Sequence, residues 1–210
     1  MRRFVLVAAA AVAIPASASA VVYNVNFDTD DDGVAIAPMT ALTDQYADWG
    51  VNFLGLEDGS ETEIQVGADP DNDPEPSRPN VLTNCSYATV GCPGNRADIV
   101  RILFDTATSS VTFQLNSLGF NSITFDAFDA SGNILERQSV RSDSGYTTVS
   151  FSTGGIYRID GIQPSDYWGW TMDDLTFAVG EVSTGDVPAP AALGLFGLGM
   201  GALGLRRRKA

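Results

Sequence analysis

The chain has 210 residues, 26 acidic and 12 basic side chains, a formal net charge of −14, two cysteines and no histidine. Without histidine it cannot build a Ser-His-Asp triad or a histidine-bearing zinc site, and two cysteines are too few for a thiolate-only one. The carboxylate excess repels phosphate backbones and anionic lipid, which excludes nucleic acid as a partner.

From the start of the chain, Arg2 and Arg3 precede an apolar stretch from Phe4 to Ala13, and Ala18-Ser19-Ala20 supplies small residues for signal peptidase. Residues 1–20 therefore read as a signal peptide cleaved after Ala20, with Pro15 interrupting any retained helix. Residues 21–180 have the length of one domain with a single core. All 26 acids lie between residues 21 and 186 against six arginines and no lysine, a net charge of −20 for that segment.

The periodicity of this domain is that of strands. Alternating or β-branched runs cover 22–27, 51–56, 63–66, 99–104, 110–115, 122–128, 134–140, 147–151, 156–162 and 171–179, with Gly, Asn, Asp and Ser between them. Ala41 to Trp49 predicts a short helix, and Asp129 to Asn133 a hairpin turn. About ten short strands in one domain predict an all-β fold, an antiparallel β-sandwich of jelly-roll-like type.

Three acidic groups stand out along it. Asp28-Thr29-Asp30-Asp31-Asp32-Gly33 places carboxylates at alternate positions before a glycine, the opening pattern of a calcium loop. Met39 stands where an EF-hand carries its bidentate glutamate, so the segment is either a calcium loop completed from elsewhere or a solvated acidic turn. Asp69, Asp71, Asp73 and Glu75 alternate with Pro and Asn in a surface loop, a second calcium candidate or simply a solvated segment. In the last strand, period two puts Asp173 on one face with Leu175 and Phe177, so a charge among apolar residues needs a partner. Backbone amides, Arg101, Arg158 or a metal could supply it. First and last strands often lie close in a sandwich, so Asp28, Asp30, Asp32 and Asp173 form the predicted calcium site.

Cys85 and Cys92 fall in one short loop. In an oxidising compartment the simplest state is a disulfide worth about 2 kcal/mol, with two free thiols the alternative. Tyr167, Trp168 and Trp170 cluster before the last strand, with Tyr46 and Trp49 in an earlier segment. Aromatic rings stack on sugar faces, and period two sets Trp168 and Trp170 opposite Leu175 and Phe177, so these three residues are either a sugar platform or core. A glycosidase built on a carboxylate pair needs no local motif and stays open on this reading.

The chain ends on Val187-Pro188-Ala189-Pro190 within a linker at 181–190, then 15 apolar residues from Ala191 to Leu205, then Arg206-Arg207-Arg208-Lys209. As a helix the apolar run spans roughly 22 Å, short of a ~30 Å hydrocarbon core, and five glycines weaken it further. Residues 191–210 thus make a weak membrane span with a basic stop on the cytoplasmic side. The arrangement resembles the PEP-CTERM sorting signal, with Ala189 where that motif has glutamate. The resemblance implies a Gram-negative bacterium, transient inner-membrane anchoring, cleavage by an exosortase-like enzyme, and delivery to the outer surface or extracellular matrix. Asp173-Asp174-Leu175-Thr176-Phe177 and Ser77-Arg78-Pro79-Asn80-Val81-Leu82 also resemble secreted jelly-roll modules related to carbohydrate-binding domains. Together these imply a non-catalytic, exopolysaccharide-binding surface protein with structural calcium. The alternatives are a secreted glycan-active enzyme and a purely structural matrix protein.

Overall fold

A computed structural model describes residues 20–68, 77, 79–84, 97–117, 121–141, 145–163 and 169–180. The signal peptide, Asp69 to Glu75, Cys85 and Cys92, Tyr167 and Trp168, and the sorting tail lie outside these residues. Among the described residues no helix is long and apolar enough to cross a membrane.

Among the described residues eleven strands form an antiparallel β-sandwich: β1 (Val21–Val25), β2 (Val51–Glu57), β3 (Ser60–Thr62), β4 (Gln65–Ala68), β5 (Asn80–Thr83), β6 (Ile99–Ser117), β7 (Ile123–Phe128), β8 (Ile134–Val140), β9 (Thr147–Phe151), β10 (Ile156–Ile162) and β11 (Trp170–Val179). Two sequence runs, 99–104 and 110–115, join into the single 19-residue β6. Its first part pairs with β2 and β10, and its last part with β11 and β9. One layer therefore runs β3-β2-β6-β10-β7-β8, and the other places β1, β4 and β5 on one side of β11, with β6 and β9 on the other. The crossing leaves a trace in the sequence. Buried Val100, Ile102 and Phe104 give way to buried Val111, Phe113 and Leu115, a change of phase between the two halves.

The layers meet through aromatic rings. Phe113 lies 5.0 Å from Phe125, Phe104 5.2 Å from Phe177, and Phe125 5.6 Å from Trp170, each a cross-layer contact at the separation such pairs favour. Gly161 makes room for two of them, because a Cβ there would stand 2.8 Å from Phe125 and 3.1 Å from Trp170. The predicted helix over 41–49 is reduced to one 3-10 turn, Ala47–Trp49. Tyr46, just ahead of it, is buried, Ala41 bridges to Gln65 and Leu42 is pinned to Ile64 by a backbone hydrogen bond, so packing holds the start of this segment against β4 and leaves bends and turns over 43–46 in place of a helix.

Candidate functional site

Three segments converge where β1 ends. Phe27 takes a left-handed φ of 59° and turns the chain, while the Asn26 side chain accepts hydrogen bonds from the amides of Asp28 and Thr29. Asp28 Oδ1 then accepts the Asn80 amide at 2.8 Å, tying the turn to β5. Asn80 is wholly buried and donates through Nδ2 to the carbonyls of Phe27 and Ile36. From the last strand, Asp173 presents a fully buried carboxyl that accepts the Asp174 amide at 2.7 Å. Ser77 completes the cluster, its hydroxyl 3.1 and 3.2 Å from the two Asp173 oxygens and its amide donating to Asp174 Oδ2 at 3.3 Å.

The position of Asp173 corrects the period-two reading of β11. Asp173 pairs with Gln114 but Thr176 with Thr112, so β11 holds one extra residue there, and Asp174 sits at a left-handed φ of 47°. A bulge of this kind resets which face each side chain takes. Trp170 and Met172 therefore share the core face with Leu175 and Phe177, and Asp173 points the other way, beneath Ser77. Trp170 is 1 % exposed, so it is core and not a platform for a sugar ring. Arg101 and Arg158 do not reach Asp173; both face Asp160 in the other layer.

The electrostatics follow from crowding acids together. Burial pushes the Asp173 carboxyl up to about 8, and the charges of Asp174 and Asp28 add to the rise against hydrogen bonds from the Asp174 amide and Ser77. Asp28 is raised by burial, opposed by the Asn80 amide and reinforced by Asp174. Tyr46, whose hydroxyl donates to Thr29 O at 2.9 Å, is also pushed up, chiefly by burial and then by nearby carboxylates. No basic side chain among the described residues pairs with Asp28, Asp173 or Asp174.

Of the four predicted metal ligands, the structure brings Asp28 and Asp173 within electrostatic reach and adds Asp174. Asp30 closes its own turn by accepting the amides of Asp32 and Val34, and Asp32 is exposed. Among the described residues no three Asp, Glu, His or Cys groups lie close enough to hold a metal ion. The sequence singled out the Ser77 to Leu82 stretch beside Asp173-Asp174 only as a resemblance to jelly-roll modules and gave no sign of the contacts between them, and it had no signal for Asn26, because common polar residues in separate segments carry no spacing pattern.

Comparison with known proteins places the tail. Residues 186–209 match the PEP-CTERM protein-sorting motif. The chain carries a PEP-CTERM sorting tag. That tag covers only the end of the chain, and no curated protein matches the sequence. The domain is similar to a family 29 carbohydrate-binding module from Piromyces equi, at 13 % identity over 80 % of this chain and 95 % of that one, with a TM-score of 0.42. It is also similar to a family two carbohydrate esterase from Cellvibrio japonicus, at 15 % identity over 77 % of this chain, with a TM-score of 0.39. This chain spans only 35 % of the esterase. A cleaved adhesin domain of Lys-gingipain from Porphyromonas gingivalis matches at 11 % identity over 69 % of this chain and all of that one, with a TM-score of 0.40. These scores are too low to carry a function across.

Proposed function

We propose that this chain is a non-catalytic exported protein, released by signal peptidase, held briefly in the inner membrane of a Gram-negative cell by its C-terminal helix, trimmed by an exosortase-like enzyme, and left at the outer surface or in the extracellular polymer. There its β-sandwich binds polysaccharide. The observation that carries this reading is the PEP-CTERM match over residues 186–209, downstream of a cleavable-looking N-terminus. The strongly acidic domain agrees with it, since a high net charge keeps a secreted protein soluble.

Calcium is the counter-ion this reading assigns to the neighbourhood of Asp28 and Asp173, with carbonyl, hydroxyl and water oxygens supplying the rest of a shell that no three acidic side chains among the described residues lie close enough to form. What supports it is the absence of any basic partner among the described residues, together with the oxygen-only chemistry of the cluster, which suits a hard cation. Bound calcium would require Asp173 to ionise and would stitch β1, the Ser77 to Asn80 segment and β11 together.

The test is a glycan array probed with the full chain, run beside a reducing-end assay on each polysaccharide bound. Binding without turnover is expected. Turnover that disappears on replacing one carboxylate pair would replace this reading with the enzyme.

A further inference from the structure

The outer face of the β2-β6-β10-β7-β8 layer carries an ordered band of charge. In register across four strands stand Arg101, Asp160, Asp126 and Arg137, each directly opposite the next. Paired residues point to the same side of an antiparallel sheet, and the alternate residues Ile102, Ile159 and Ala127 are buried in the core, so this row faces away from it. Both ion pairs are bidentate. Arg101 Nε and Nη2 reach the two Asp160 oxygens at 2.8 and 2.9 Å, and Arg137 Nε and Nη2 reach those of Asp126 at 2.6 Å each.

Arg158 is different. Its Nε is 3.4 Å from Asp160 Oδ1, a charge contact, and that nitrogen is buried with no hydrogen-bond partner. The Asp160 oxygens are already taken by Arg101. The guanidinium carbon of Arg158 lies 3.8 Å from the centre of the Phe128 ring, which holds the fork flat against the sheet. Arg158 and Arg101 keep 28 % and 24 % of their side chains exposed, and Arg137 keeps 59 %. Half-buried Leu54, Leu103 and Ile162 stand in the same and adjacent rows.

Three arginines against two aspartates leave this band at +1, within a segment whose net charge is −20. Three of the six arginines in that segment converge here, and one, Arg158, has a buried Nε without a hydrogen-bond partner. A part-exposed guanidinium fork whose neighbouring carboxylate is already held by Arg101 matches an incoming carboxylate, and a flat apolar surround suits a sugar ring. The repulsion between a −20 domain and an anion is screened over ~8 Å at physiological ionic strength, so charge at contact range decides.

We infer that this face is the polysaccharide-binding surface and that its preferred partner is an acidic sugar, a hexuronate whose carboxylate is taken by Arg158. This rests on the polysaccharide-binding reading above and names the chemistry it would use.

The experiment is calorimetric titration of the full chain in detergent with short oligogalacturonates, their methyl esters, and neutral xylo- and manno-oligosaccharides. It is run at physiological salt with a chelator, so that calcium cannot bridge two acids. Oligogalacturonate should bind, the methyl esters should bind at least tenfold more weakly, and Arg158→Met should lose at least tenfold for the acid while its melting midpoint is kept. If Arg158→Met melts early, the ester comparison on the unaltered chain decides alone. Equal affinity for acid and ester, or preference for a neutral oligosaccharide, overturns the proposal and leaves the polysaccharide-binding reading standing. Binding of none of these, together with an empty glycan array, overturns both.

Discussion

Replacing Asp173 with asparagine should remove most of the domain's sensitivity to rising pH. The folded protein holds this carboxyl near 8 against an ordinary value of 3.8, with burial as the main cause. A carboxyl raised in this way favours the protonated fold. Its stabilising contribution is complete below about pH 4 and is lost as pH climbs through about 8. Four units at about 1.36 kcal/mol each set a ceiling of about 5 kcal/mol, and water entry and local relaxation cut this to roughly 2–3 kcal/mol. In a domain of this size 1 kcal/mol is about 2–4 °C, so the melting midpoint of the native chain should fall by roughly 5–10 °C relative to Asp173→Asn between about pH 5 and pH 9. Asparagine fits the site: Oδ1 can accept the Asp174 amide that the carboxylate now accepts, and Nδ2 can donate to Ser77 Oγ. The assay is circular-dichroism melting of both proteins across this range in chelator, then in calcium. Calcium should restore the native chain at high pH and leave the variant unmoved. Parallel midpoint curves for the two proteins in chelator would refute the electrostatic account of the cluster, and a calcium-insensitive native chain would remove the cation from it.

Gly161→Ala should destabilise by about 1–3 kcal/mol, because the new methyl meets Phe125 and Trp170 rings that cannot both retreat; denaturant midpoints check this. Trp170→Ala should cost about 3–5 kcal/mol of folding stability, where an exposed sugar platform would cost almost none. Asn80→Ala should cost about 2 kcal/mol by leaving the buried Ile36 and Phe27 carbonyls without a donor, with amide exchange rising first in the 26–36 turn.

The strand content was legible because period-two alternation survives wherever one face is buried, and β7, β9 and β10 fall where that alternation put them. The union of two runs into β6 was not, since the phase change near Phe104 reads in sequence as a break between strands. Short β5 was hidden for the opposite reason, because it is buried on both faces and shows no alternation, and three-residue β3, mostly exposed, is too short to show any. The β11 bulge had the largest consequence. Nothing in Met172-Asp173-Asp174-Leu175 announces that an aspartate will take a left-handed φ, yet that one residue moves Trp170 into the core and turns Asp173 away from it. The nearness of Asp28 and Asp173 could be anticipated from the common placing of first and last strands. The divergence of Asp30 and Asp32 could not, because an Asp-x-Asp-x-Asp-Gly pattern serves a self-closing turn as readily as a cation. The charged band on the outer face was invisible as a motif, since Arg101, Asp126, Arg137, Arg158 and Asp160 meet only through strand register.

The view that both chain ends are removable addresses on a domain that works outside the cell is tested most directly by intact-mass spectrometry of the protein recovered from its native source. A polypeptide beginning near Val21, ending near the Val187 to Pro190 segment and found in the surface or matrix fraction is the predicted result. A full-length, 210-residue chain in the cytosolic fraction would contradict it.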